Sequence, residues 1–151
     1  MTKKTFNDLV EFVSRTCDVT VRCDRRITGG AEMPHRIRGY AIPDGEAFTR
    51  WSLTKATSKV AHFNYDQNAK HGIEVRFHPS VPLNIRAAVL IHEFGHCQIF
   101  TKMPSKKRQA LGKVREEKLA WDLGMWAVPD ELLPEPKSFL KMTLVSLETY
   151  L

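Results

Sequence analysis

Apolar and polar positions change their period along this chain, and the changes divide it into elements. From Thr5 to Arg15 the residues Phe6, Leu9, Val10 and Val13 recur at helical spacing and predict an amphipathic helix. Shorter stretches follow that read as strands, at 19–23, 36–42, 47–53, 59–65 and 72–77. Alternation is clearest in the last, where Ile73, Val75 and Phe77 share a face. Pro43-Asp44-Gly45 and Asp66-Gln67-Asn68 predict turns, and Gly29-Gly30 with Met33-Pro34 a loop. Because these joins are short, the strands are expected to form a small, mostly antiparallel sheet. Leu83 to Phe100 then reads as a mostly buried helix carrying Ile85, Ala88, Leu90, Ile91, Phe94, Ile99 and Phe100. Ser80 is the expected N-cap, Pro82 falls in the first turn and Pro104 stops the helix. Lys102 to Lys113 is a basic connection with helical character around 107–111. A further helix runs from Val114 to Val128, ended by Pro129, and a last one from Ser138 to Leu151 with Leu140, Leu144, Leu147 and Leu151 on one stripe. The class is α+β, and at 151 residues it is most simply one domain, residues 1–151.

The buried helix contains residues that its apolar pattern does not explain. His92, Glu93 and His96 stand in its middle, and unpaired buried charge is costly. Two histidines four apart lie on one helix face, with Cβ atoms about 5–6 Å apart. Both imidazoles can therefore reach one metal ion, at Zn–N distances of about 2.0–2.1 Å. Glu93 projects toward the same side and can take a proton from a metal-activated water. His92-Glu93-Phe94-Gly95-His96 is thus the H-E-x-x-H arrangement of zinc-dependent peptidases. The plainer alternative is a pair of hydrogen-bonded core histidines beside a buried glutamate. Gly95 weakens a helix, so a close approach by a neighbouring element is its expected reason.

Composition narrows the setting. A hydrophobic fraction of 42% with eight Phe and three Trp describes a globular chain. No apolar run is long enough to span a membrane, and Met1-Thr2-Lys3-Lys4-Thr5-Phe6 leads into Asn7, Asp8 and Glu11 rather than a signal-peptide core. Cys17, Cys23 and Cys97 are odd in number and match no zinc-finger spacing, so free thiols in a reducing cytoplasm are expected, with Cys97 as core filler. The net charge is +6, from 23 Lys+Arg against 17 Asp+Glu. Two clusters carry much of it: Arg22, Arg25, Arg26, Arg36 and Arg38, and Lys102, Lys106, Lys107, Arg108, Lys113, Arg115 and Lys118. They read first as a solvated, solubilising surface. No nucleic-acid motif accompanies them, so any such binding is expected to be weak and non-specific.

A catalytic zinc usually has three protein ligands and an open position. His35, His62, His71 and His78 all precede the motif, and no histidine follows His96. Among the downstream carboxylates, Glu116 and Glu117 flank the apolar helix face that holds Ala120, Leu123, Gly124 and Ala127, whereas Asp122 falls on the polar side with Arg115 and Lys118. Periodicity alone does not separate the two glutamates.

The motif followed by Glu116-Glu117-Lys118-Leu119-Ala120-Trp121 resembles the gluzincins, whose third zinc ligand is a glutamate on the next helix. The likeness is to their minimal single-domain members, of the kind common in bacterial and phage genomes, and it covers 72–128. The family's Glu-x-x-Ala-Asp pattern is matched by Glu117 and Ala120, while Trp121 stands where the family has aspartate. The resemblance implies zinc held by His92, His96 and Glu117, with Glu116 as the alternative third ligand, and Glu93 as general base. It also implies a small twisted sheet packed on the motif helix, two further helices beyond it, and an extended protein or peptide substrate along an edge strand, 59–65 or 73–77. The expected activity is narrow-specificity peptide-bond hydrolysis. The alternatives are a zinc-bound, non-catalytic interaction module of a phage or mobile element, and a basic nucleic-acid-associated protein.

Overall fold

The computed structural model of the chain describes residues 1–23, 25, 37–42 and 72–148. Its elements are helix α1 (Lys3–Ser14), strands β1 (Asp18–Cys23), β2 (Ile37–Ile42) and β3 (Gly72–Phe77), then helices α2 (Leu83–Lys102), α3 (Ser105–Leu111), α4 (Lys113–Ala127) and α5 (Pro136–Glu148). A short 3-10 turn, Asp130–Leu132, joins the last two. The α+β class is as expected. Two predicted strands, 47–53 and 59–65, lie outside the described residues, as do the turns at 43–45 and 66–68 and the loop at 29–34.

The sheet is mixed, which corrects the mostly antiparallel arrangement. Its order is β1-β3-β2, with β1 parallel to β3 and β2 antiparallel to it. Short joins say only that neighbouring segments can turn back on each other. They do not reveal that β3, far along the chain, inserts between the first two strands. The insertion also removes 73–77 as a substrate-pairing edge, because both sides of β3 already carry partners. Segment 59–65 lies outside the described residues.

Both faces of β3 are buried. Ile73, Val75 and Phe77 join the hydrophobic core, while Glu74 and Arg76, on the alternate positions, form a buried ion pair at 3.4 Å. α2 packs across β2 and β3 and also meets α1, α4 and α5. Covered from several directions, it buries residues around its whole circumference, from Ile85 and Ala88 to Leu90, Ile91, Phe94 and Ile99. A helix that is apolar all round belongs in a core. α1 buries Phe6, Leu9 and Val13 as its periodicity requires, and its Phe12 meets Phe94 edge-on at 6.2 Å.

Helix boundaries match the sequence pattern to within two residues at most ends, with two corrections. Ser80 does not cap α2: its amide donates to His78 Nδ1 at 3.1 Å and its hydroxyl lies 2.7 Å from the same nitrogen. Pro82 takes the capping position, and its carbonyl accepts from the Ile85 and Arg86 amides. Arg86 ties this turn down through the carbonyls of Val81 and Pro79 and lies 3.9 Å over the Phe77 ring. The second correction concerns α5, which begins at Pro136 and turns Ser138 and Met142 inward, leaving Leu140 and Leu144 more than half exposed. Heptad-like leucines alone did not indicate which face of α5 meets α2 and α4. Among the described residues no helix is long and apolar enough to cross a membrane.

Candidate metal centre

The centre is built where α2 and α4 cross, and glycine sets how closely they do so. A Cβ on Gly95 would meet the Ala120 backbone, with 2.6 Å to its carbonyl carbon and 2.9 Å to its Cα. A Cβ on Gly124 would likewise strike the Ile91 carbonyl. The two helices therefore meet backbone against backbone at both points, with the Ile91 side chain also close at Gly124. This is the close approach that Gly95 predicts, and Ala120 serves it from the other side.

That contact carries Glu117 to the two histidines of α2. Its Oε2 lies 2.8 Å from His92 Nε2 and its Oε1 3.1 Å from His96 Nε2, while the two Nε2 atoms are 3.2 Å apart. His92, His96 and Glu117 form a buried group that could hold a metal ion, with ligand atoms all within 4.8 Å of one another. Donors arranged tetrahedrally at zinc distances would stand about 3.3 Å apart, close to the separations found. Two imidazole nitrogens and a carboxylate oxygen are also donors that zinc accepts. The residues fit the ion.

Electrostatics favours positive charge at this point. Burial opposes a charged His96, but its hydrogen bonds to Glu116 and Glu117, with the nearby charges of Glu93 and Glu117, outweigh that effect and raise its pKa to about 10. Glu117 pays a desolvation penalty too, yet the hydrogen bonds from both histidines hold its carboxyl well below the usual carboxylate range. Glu93 is shifted the other way, burial raising it against the lowering influence of the two histidines. Its Oε1 lies 4.0 Å from His92 Nε2, so it stands beside the cluster rather than within it.

The two glutamates that periodicity left equivalent are separated by the tertiary structure. Glu117 spans both Nε2 atoms, whereas Glu116 Oε1 lies 3.5 Å from Nδ1, on the opposite side of the His96 ring. A carboxylate on the outer nitrogen of a ligating histidine fixes its tautomer and ring orientation. His92 is held differently. Its ring stacks on Trp121 with centroids 4.2 Å apart and an interplanar angle of 23°, and Trp121 is backed edge-on by Phe139 of α5 at 5.0 Å. Among the described residues neither His92 Nδ1 nor the Trp121 indole nitrogen has a hydrogen-bond partner. Trp121, at the position where the resembled pattern has an aspartate, thus orients its histidine by packing. Its spacing of four residues from Glu117 was a readable signal that both face the same neighbour.

Other sequence candidates fall away from the cluster. His78 is engaged with Ser80, Asp122 is exposed, and Cys97 is a buried free thiol. His35, His62 and His71 lie outside the described residues. No protein-family model matches the sequence, and neither a curated protein nor a solved structure matches it.

Proposed function

We propose that the chain is a zinc-dependent peptide-bond hydrolase of gluzincin type, acting as an endopeptidase on a narrow range of protein targets. The observation that carries this reading is the convergence of His92 Nε2, His96 Nε2 and the Glu117 carboxylate, with a fourth ionisable group, Glu93, held just outside them. A purely structural zinc site is closed and commonly cysteine-rich, and has no use for an adjacent carboxylate that is not a ligand.

When bound, zinc would supply Lewis acidity, acidifying a water to near neutrality and polarising a carbonyl. The chain supplies the rest. His92, His96 and Glu117 would hold the ion, Glu116 and Trp121 keeping the two imidazoles in their orientations. Glu93 accepts a proton at its carboxylate and returns it to the leaving amine. α2 offers a rigid base for these groups, because most of its surface is packed against other elements and positional freedom is small.

The test is elemental analysis combined with hydrolysis of a peptide library. The purified chain should carry about one zinc per molecule, lost in His92→Ala or His96→Ala. Glu93→Gln should keep the zinc and the fold while losing cleavage, since an amide of similar shape removes only proton transfer. Equal cleavage by wild type and Glu93→Gln would refute the mechanism. A chain that takes up no zinc under adequate supply would refute the whole reading.

A further inference from the structure

We infer that the surface running from the end of α2 across α3 into the first half of α4 recognises an acidic segment of a polypeptide and leads it to the metal centre. This rests on the hydrolase reading above for its choice of polypeptide, and it adds the chemistry of the substrate.

Lys102, Lys106, Lys107, Lys113, Arg115 and Lys118 are all exposed, and among the described residues none of them makes an ion pair. The only acidic residues in the same stretch are Glu116 and Glu117, and both turn toward the histidines. The exposed charge is therefore of one sign. Neighbouring like charges repel, so such an arrangement lowers stability slightly and raises the local potential for an anionic partner.

This surface reaches the site by two physical routes. The Arg108 guanidinium lies 4.6 Å over the Phe100 ring, and Phe100 in turn stacks near His96, with centroids 6.3 Å apart and planes 29° apart. On α4, Lys113 precedes Glu117 by one helical turn and so lies on the same face. An extended chain anchored on these cations would have its backbone beside the cluster that would hydrolyse it. Nucleic acid offers the same negative charge. However, phosphodiester cleavage is commonly served by paired metal ions, and among the described residues one such group is found, of two histidines and one carboxylate.

The experiment uses full-length protein carrying Glu93→Gln, so that binding is read without cleavage. Fluorescence anisotropy compares a labelled peptide of alternating Glu and Ser, its Gln–Ser counterpart, and duplex DNA. The Glu–Ser peptide should bind at least about tenfold more tightly than the Gln–Ser peptide near 50 mM salt, and the preference should shrink by about 200 mM. Lys106→Glu combined with Lys107→Glu should weaken binding about tenfold, Lys106→Gln with Lys107→Gln less, and Lys3→Glu with Lys137→Glu under about twofold. Equal binding of the two peptides would overturn the inference. So would equal losses in the α3 and control pairs, or tighter binding of duplex DNA than of the acidic peptide. If the wild-type chain cleaves no peptide yet captures the acidic one with this residue dependence, the hydrolytic reading fails while the recognition surface stands.

Discussion

Gly95→Ala sets two opposing effects against each other, and the structure decides the sign. In a helix interior, alanine is favoured over glycine by about 0.8–1.0 kcal/mol. Against that, the new methyl group would lie 2.6 Å from the Ala120 carbonyl carbon and 2.9 Å from its Cα. Comfortable contacts are about 3.5–4.0 Å, and the Ala120 carbonyl oxygen would be nearer still than these two carbons, so α4 must retreat by more than about 1 Å. The obstacle is backbone and cannot rotate aside. Overpacking costs about 1–3 kcal/mol or more, and a clash with three backbone atoms belongs at the top of that range, so the net change should be a loss of about 2 kcal/mol. For a chain of this size each kcal/mol is worth about 2–4 °C in melting temperature. The same retreat would draw Glu117 away from His92 and His96, and ligand geometry tolerates only about 0.5 Å of error. Zinc affinity should therefore fall more than tenfold, alongside the lost stability. Urea melts and zinc titration against a chromophoric chelator measure the two effects. Gly112→Ala is the control. Gly112 has φ +81° and open space around it, so its substitution should cost about 1–3 kcal/mol of backbone strain and leave zinc affinity unchanged. A Gly95→Ala protein more stable than wild type, or with unaltered zinc affinity, would refute the argument that this contact sets the site.

The other expectations are shorter. Glu117→Ala should abolish tight zinc binding, whereas Glu116→Ala should weaken it by about 10–100-fold through His96 orientation alone; a larger loss in Glu116→Ala would reverse the assignment. Trp121→Ala should cost about 3–5 kcal/mol by deleting a buried aromatic, while Trp121→Phe should retain most stability and zinc affinity by preserving a ring against His92; thermal melts and zinc titrations that fail to separate the two variants would remove the stacking role. In the chelator-treated chain the pKa of His96 is raised from 6.5 to about 10, so the folded state holds that proton more tightly than the unfolded one. Its stabilising contribution is complete below about pH 6.5 and disappears as pH rises through about 10. Urea midpoints should accordingly fall across that window in wild type and less so in His96→Ala, and a midpoint independent of pH would contradict the hydrogen bonds assigned to that ring.

Local pattern carried a good deal of this protein. Apolar pattern located α1, α2 and α4: α1 and α4 each turn one face to the core, while α2, apolar all round, has to lie within it. The four-residue spacing of His92 and His96 placed both imidazoles on one side of α2, since helix geometry fixes that relation without help from the rest of the fold. Gly95 announced a close contact, because a helix keeps a destabilising residue in its interior for a reason. Glu116 and Glu117 were reduced to a pair for the same reason: α4 has one apolar face, and both flank it.

What lay beyond the sequence depended on rotation and order in space. The rotation of α4 about its axis, fixed by Gly95 against Ala120 and Gly124 against Ile91, put Glu117 across both Nε2 atoms and Glu116 on Nδ1. A difference of 100° per residue is too small to choose between adjacent side chains until a second helix is docked. The role of Trp121 depended on the same docking, because a stacking partner is defined by a neighbouring ring and not by spacing along one chain. Strand order was hidden more deeply. Alternation says which face of β3 is apolar, yet hydrogen bonds to β1 and β2 use backbone groups that every residue shares, so the insertion of β3 between them left no mark in the side-chain pattern.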